Sequence, residues 1–174
     1  MPNTFVKIAS VTVGLLGAST IDFTSIPATY TDLCLKMSLR TNRVGTFDYV
    51  TISFNNSAAD FTLITLQGDG AGGSAASYNR GTFGVNFLGR ADGATATANT
   101  FANGELYIPS YTASRNKSSS TDMVNEDNSA TAYVNITAGT WAQTTAINQL
   151  TITNGTGNSY VQYSTATLYG IKNS

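Results

Sequence analysis

Apolar and polar residues along this chain alternate with a period of two far more often than with the 3.6-residue period of a helix. The clearest stretch sets Leu33, Leu35, Met37 and Leu39 on one face and Cys34, Lys36, Ser38 and Arg40 on the other. Val50, Ile52 and Phe54 oppose Tyr49, Thr51 and Ser53 in the same way, and Leu150 and Ile152 alternate with Thr151 and Thr153. A last run, Thr165 to Ile171, is β-branched and aromatic, the composition that suits a pleated surface. Further strands are predicted over Phe5–Val13, Thr20–Phe23, Phe61–Leu66, Phe83–Leu88, Glu105–Ile108 and Tyr133–Ile136.

Turn chemistry separates these runs. Gly68 to Gly73, Ala91-Asp92-Gly93, Asn103-Gly104 and Asn154 to Asn158 carry the Gly, Asn and Asp that positive-φ turn positions need. The segment Tyr111 to Ser129 is polar and reads as a long loop. About eight to ten short strands with this punctuation predict an all-β chain, an antiparallel β-sandwich or a barrel. No internal repeat, heptad or linker interrupts it, so residues 1–174 are expected to form one domain.

Composition changes the picture at the surface. Only 11% of the 174 residues are charged, against roughly 25% in ordinary soluble domains. Thr, Ser, Asn and Gly must therefore cover the core, and such short side chains lose little entropy when a contact immobilises them. The formal charge is −1 and the nine basic residues are scattered, so nucleic-acid binding is not expected. Near-neutrality also leaves little repulsion between copies. No run approaches the roughly 20 apolar residues of a membrane helix, and Val11 to Ala18 reads as strand and turn.

The chain has no histidine and one cysteine. That removes Ser-His-Asp and Cys-His catalysis and the thiolate–imidazole zinc sites. Cys34 lies in an apolar run and reads as a small buried hydrophobe. Gly68 to Gly73 lacks the Lys-Ser/Thr ending and following helix of a phosphate cradle, so no cofactor is expected. Ten carboxylates leave glycoside hydrolysis formally open, although most sit where Asp caps a turn. Asp122, Glu126 and Asp127, with Asn128, offer oxygen ligands for calcium without the spacing of an EF-hand. Nine tyrosines, eight phenylalanines and Trp141 supply either core or sugar-stacking platforms. The candidate contact residues are Asp69 at the glycine-rich tip, Arg115 and Lys117 in the polar segment, Asp122, Glu126 and Asp127, and Trp141 near a turn.

Four strings occur in order: Ile21 to Leu33, with Ile26-Pro27-Ala28-Thr29-Tyr30-Thr31-Asp32-Leu33 at its end and Ser38-Leu39-Arg40-Thr41 after it; Ile52 to Ser57; Gly104-Glu105-Leu106-Tyr107-Ile108-Pro109-Ser110-Tyr111 with Lys117-Ser118 soon after; and a closing Ser164 to Lys172 that contains Leu168-Tyr169-Gly170-Ile171. In this order they resemble a group of small β-sandwich virion proteins of tailed bacteriophages. The resemblance implies a jelly-roll-like sandwich in the virion, as a head decoration (cement) protein or as a tail-fibre or knob module. The chain has no fibrous repeat, and strand alternation begins by Phe5 with no separate anchoring domain expected, which favours the head. The partners so implied are the major capsid protein and further copies of the chain, with a homotrimer matching capsid threefold positions. Under the tail alternative the partner is a host receptor or carbohydrate. No catalytic role is expected.

Overall fold

A computed structural model describes residues 4–57, 59–70, 76–83, 86–125 and 132–172. Among them are twelve strands and no helix: β1 (Phe5–Thr12), β2 (Thr20–Phe23), β3 (Asp32–Leu39), β4 (Phe47–Phe54), β5 (Phe61–Gly68), β6 (Ala76–Phe83), β7 (Asn86–Asp92), β8 (Ala102–Ile108), β9 (Lys117–Asn125), β10 (Tyr133–Trp141), β11 (Leu150–Asn154) and β12 (Thr165–Ile171). They form an eight-stranded sheet in the order β1-β12-β3-β8-β9-β10-β5-β6 and a four-stranded sheet in the order β2-β11-β4-β7. Neighbouring strands pair antiparallel throughout. The fold is an all-β sandwich.

The way the chain crosses between the sheets makes it jelly-roll-like. From β2 onward it runs small sheet, large (β3), small (β4), large (β5, β6), small (β7), large (β8, β9, β10) and small (β11). That is the crossing order of a jelly roll, with the meander β8-β9-β10 standing where one strand would suffice. The β1–β12 pair extends the large sheet beyond β3.

Twelve strands exceed the eight to ten expected, and the differences have physical causes. The segment Tyr111 to Ser129, read as a loop, contains β9. Its inward positions are Lys117, Ser119, Thr121, Met123 and Asn125, so both faces are mostly polar and the period of two leaves little hydropathy signal. Asn103-Gly104 is not a turn but lies inside β8. A Cβ on Gly104 would stand 3.1 Å from Met123 Cγ, and the glycine gives that side chain room.

The core between the sheets is apolar at one end and polar at the other. Leu35, Leu39, Ile52, Leu106, Leu150 and Leu168 lie at its apolar centre. Trp141 stacks on Phe61 with centroids 6.1 Å apart and meets Phe54 edge-on at 5.7 Å. Under β5, β9 and β10 the inward side chains are instead Thr65, Thr137, Ser119 and Asn135, all buried. Thr65 Oγ1 lies 3.0 Å from Thr137 Oγ1, and Asn86 Nδ2 on β7 donates to Ser119 Oγ at 3.0 Å. Small residues let the sheets approach here: a Cβ on Gly139 would come within 2.8 Å of the Asn86 amide.

The sequence strings that are most distinctive meet at one corner. The ring of Tyr30 lies flat against Gly170, where an added Cβ would sit 2.3 Å from Tyr30 Cγ. Thr31 N donates to Ile171 O at 2.8 Å. Asp32, buried, accepts from Tyr107 Oη at 2.7 Å and from Ser110 N at 2.8 Å. The Tyr111 hydroxyl donates to the Pro27 carbonyl. Ile-Pro-x-x-Tyr-x-x-Leu, Leu-Tyr-Ile-Pro-Ser-Tyr and Leu-Tyr-Gly-Ile are thus three sides of one joint that closes β12 onto β3 and β8.

Candidate functional site

The few charges this chain has are partly spent inside it. Among the described residues, the basic side chains of Arg40, Arg90 and Lys117 are buried. Arg40 donates to the carbonyls of Thr97 (2.7 Å), Ala96 (3.0 Å) and Thr100 (3.0 Å) and so ties down the loop after β7. The Arg90 guanidinium packs on Tyr133 at 3.9 Å and Phe47 at 4.5 Å from their ring centres. Lys117 Nζ donates to four carbonyls: Ala113 (2.7 Å), Arg115 (2.6 Å), Gln143 and Thr144 (both 3.3 Å). Asp32, Asp48 and Asp92 are buried as well. The remaining surface is even less charged than the composition indicates.

The residues singled out from sequence are not brought together. Asp69 follows β5 at one end of the sandwich, and Arg115 is exposed in the β8–β9 turn at the other. Lys117 and Trp141 are 1% and 3% exposed, so neither is a surface contact. Trp141 is the last residue of β10, next to the loop that follows, and its indole completes the aromatic cluster with Phe54 and Phe61. Asp122 is exposed on β9, beside Glu105 across the β8–β9 pair, rather than in a loop. Glu105 is paired with Lys36 at 2.5 Å. Glu126 and Asp127 lie outside the described residues, and among the described ones no cluster of three metal-ligating side chains occurs.

Two apolar surfaces stand out instead. The first is the outer face of β9, β10 and β5. Here β10 turns Asn135 and Thr137 inward and Val134 and Ile136 outward, and β5 leaves Ile64 and Leu66 exposed beside buried Phe61, Leu63 and Thr65. Ile136 and Leu66 are cross-strand partners on this face, 53% and 52% exposed. Ile64 lies diagonally beside them, and Val134 pairs with Val124 across β10 and β9. Below the ridge is a depression of about 380 Å³ lined by Ile64, Ser118, Ala138 and Thr140.

The second surface is the β1–β2 turn. Gly17 N donates to Gly14 O at 3.0 Å, with Gly17 at φ 73°, so the tip is a closed turn. Leu15 and Leu16 occupy its two central positions, 80% and 98% exposed. The base of the turn is fixed by reciprocal bonds between Ala18 and Tyr160 at 3.0 and 2.8 Å. Exposed Tyr163 and Val44 belong to loops that end at the same face of the sandwich. Two leucines between glycines were the available sequence signal; alternation, which ranks strands, does not register a turn tip.

Burial also sets a pH response. Desolvation pushes the Cys34 thiol from 9.0 up to about 11. The bond to Asp32, with burial, pushes the Tyr107 phenol from 10.0 up to about 12. Burial raises Tyr160 further, with the nearby Asp48 charge adding to it. In each case the folded chain holds its proton longer than the unfolded chain, so stability present below the unfolded value is lost as pH rises through the folded one. Lys117 acts oppositely, since burial lowers its pKa and the Arg115 charge adds to that, and it offsets part of the loss. The urea midpoint is therefore expected to hold to about pH 9 and to fall across about pH 9–12. A flat profile to about pH 12 would contradict these burial effects.

Comparison of the chain with family models, curated proteins and solved structures finds no match. The class defined by what is described above is an all-β sandwich with two exposed apolar surfaces on a sparsely charged shell.

Proposed function

We propose that this chain is a non-enzymatic virion structural protein of a tailed bacteriophage, a decoration protein that binds the assembled head through its major capsid protein and stabilises it. The observation that carries the reading is the Leu15–Leu16 turn. Two leucines held in water at a hydrogen-bonded turn lose hydrophobic free energy that docking restores, on the order of 1.5–3 kcal/mol for each side chain fully buried. The turn is closed before it docks, so little backbone entropy remains to be lost. Low charge, a shell of Thr, Ser, Asn and Gly, and jelly-roll crossings also suit a protein whose work is contact.

The mechanism is mass action. A protein that binds assembled shell and not free subunits stabilises the shell by its own binding free energy, multiplied over its copies. Purified protein is expected to bind heads that lack it and to raise the temperature at which they release DNA. Leu15→Ser with Leu16→Ser is expected to weaken that binding by at least about 100-fold, as two lost apolar anchors imply, without changing the urea midpoint. No binding of the unsubstituted protein to such heads would sink the reading. Undiminished binding of the double variant would move the contact elsewhere on the surface.

A further inference from the structure

We infer that the outer face of β9, β10 and β5 is the docking surface for a second copy of this chain, packed sheet on sheet. The inference names a surface for self-association within the assembly reading, and it holds whether or not that assembly is a phage head.

Area comes first. Ile64, Leu66, Val124, Val134 and Ile136 are 49%, 52%, 39%, 45% and 53% exposed. Together they present on the order of 450 Å² of apolar surface, as large as the largest patch of a typical monomer. With the flanking exposed Thr62, Ser118, Ser120, Ala138 and Thr140 the face offers roughly 700–800 Å², what one partner contributes to an ordinary stable interface.

Shape and charge select the occupant. The face carries a ridge, Ile136 with Leu66, and beside it the depression floored by Ser118, Ala138 and Thr140. Ridge and depression lie at neighbouring levels of the same strands, separated by Thr137, whose side chain points inward. A twofold axis laid across the strands at that level sets Ile136 of each copy over Ala138 in the depression of the other and Leu66 against Ile64. Such self-complementarity is what an isologous contact requires, and flat faces of β-branched residues interdigitate when sheets stack. Asp122 is the cross-strand neighbour of Ile136 and stands with Ser120 and Val124 at the β9 margin of the face, with Lys36 and Glu105 beyond it on β3 and β8. The contact is therefore centred on β10 and β5, with the Asp122 carboxylate at its hydrated β9 rim, where it need not be desolvated. A contact of this kind joins copies in pairs; a threefold association would use another surface.

The test is the oligomeric state in solution, measured by sedimentation and light scattering over about 1–100 µM. The unsubstituted chain is expected to be a dimer within that range. Ile136→Lys is expected to be monomeric throughout, its dissociation constant raised at least about 100-fold. That substitution suits the fold, because residue 136 is exposed and faces Asp122 across the strand pair. Ile64→Lys is the second variant, and matching urea midpoints certify that both are folded. A monomeric unsubstituted chain, or an oligomer that survives both substitutions, overturns the inference. Head binding is scored separately on the same proteins. A monomer that decorates heads retires this inference and keeps the decoration reading, whereas a dimer that ignores heads does the reverse.

Discussion

Replacing Lys117 with methionine is expected to lower the unfolding free energy by about 3 kcal/mol and the melting temperature by about 6–12 °C. Methionine keeps much of the apolar stem and removes the ammonium. What is lost is the shared donor of four carbonyls, two in the β8–β9 turn and two in the segment after β10. Each carbonyl left buried and unpaired costs about 1–3 kcal/mol. Those nearest the surface regain water, which keeps the total near the lower figure. The same ends of the chain are tied by Gln143 Nε2 to Asp60 at 2.5 Å and by Ile147 N to Tyr111 O at 3.0 Å, so the loops loosen without detaching. Equilibrium urea unfolding measures the change, and a loss below about 1 kcal/mol would mean that the four bonds are replaced by water at little cost. Arginine at this position is not a conservative test, since its planar fork cannot aim at four carbonyls arranged around a point charge.

Lys117 also marks where the sequence was readable and where it was not. Strands whose two faces differ in polarity were legible almost to the residue: Thr20–Phe23 and Thr165–Ile171 match β2 and β12, and Leu33 to Leu39 lies within β3. β9 was hidden because Lys117, Ser119, Thr121 and Asn125 are inward-facing in a polar part of the core. Period-two hydropathy cannot distinguish a strand with two polar faces from a loop. Strands with apolar residues on their outward face hid that face in the same way. Phe61, Leu63, Thr65 and Thr62, Ile64, Leu66 are both plausible core sets by hydropathy alone, and only the position of β7 beneath β5, β9 and β10 decides which set is covered.

The candidate contact residues fared as their chemistry dictates. Charged and aromatic side chains were reasonable guesses for a binding surface, but a chain with so few charges uses several of them as internal fasteners. Lys117 anchors loops, Arg40 holds the segment after β7, and Trp141 fills the aromatic cluster. The exposed apolar residues that carry the proposals, Leu15, Leu16, Ile64, Leu66 and Ile136, are types that sequence reasoning assigns to the core by default. Three-dimensional placement was needed to see them left outside.

The resemblance strings, by contrast, owe their pattern to packing, and Gly170→Ala is the substitution that tests this most sharply. An alanine Cβ there would lie 2.3–2.5 Å from three atoms of the Tyr30 ring, far inside van der Waals contact. Residue 170 sits in β12 opposite Leu33 on β3, so the backbone cannot retreat without breaking a central ladder. Tyr30 must swing away, losing its cover over Gly170 and its contact with the Lys172 ammonium 5.7 Å from the ring centre. The expected cost is about 2–4 kcal/mol, the range of overpacking plus a displaced aromatic. Tyr30→Ala alone should cost about 2–3 kcal/mol by lost burial. The double variant separates the causes: if the ring is what the new methyl strikes, Tyr30→Ala with Gly170→Ala should be no worse than Tyr30→Ala alone, a coupling of about 2 kcal/mol or more. Additive costs would instead locate the strain in β12 itself, and the joint of the three strings would then be held by Asp32, Tyr107 and Tyr111 without help from the glycine.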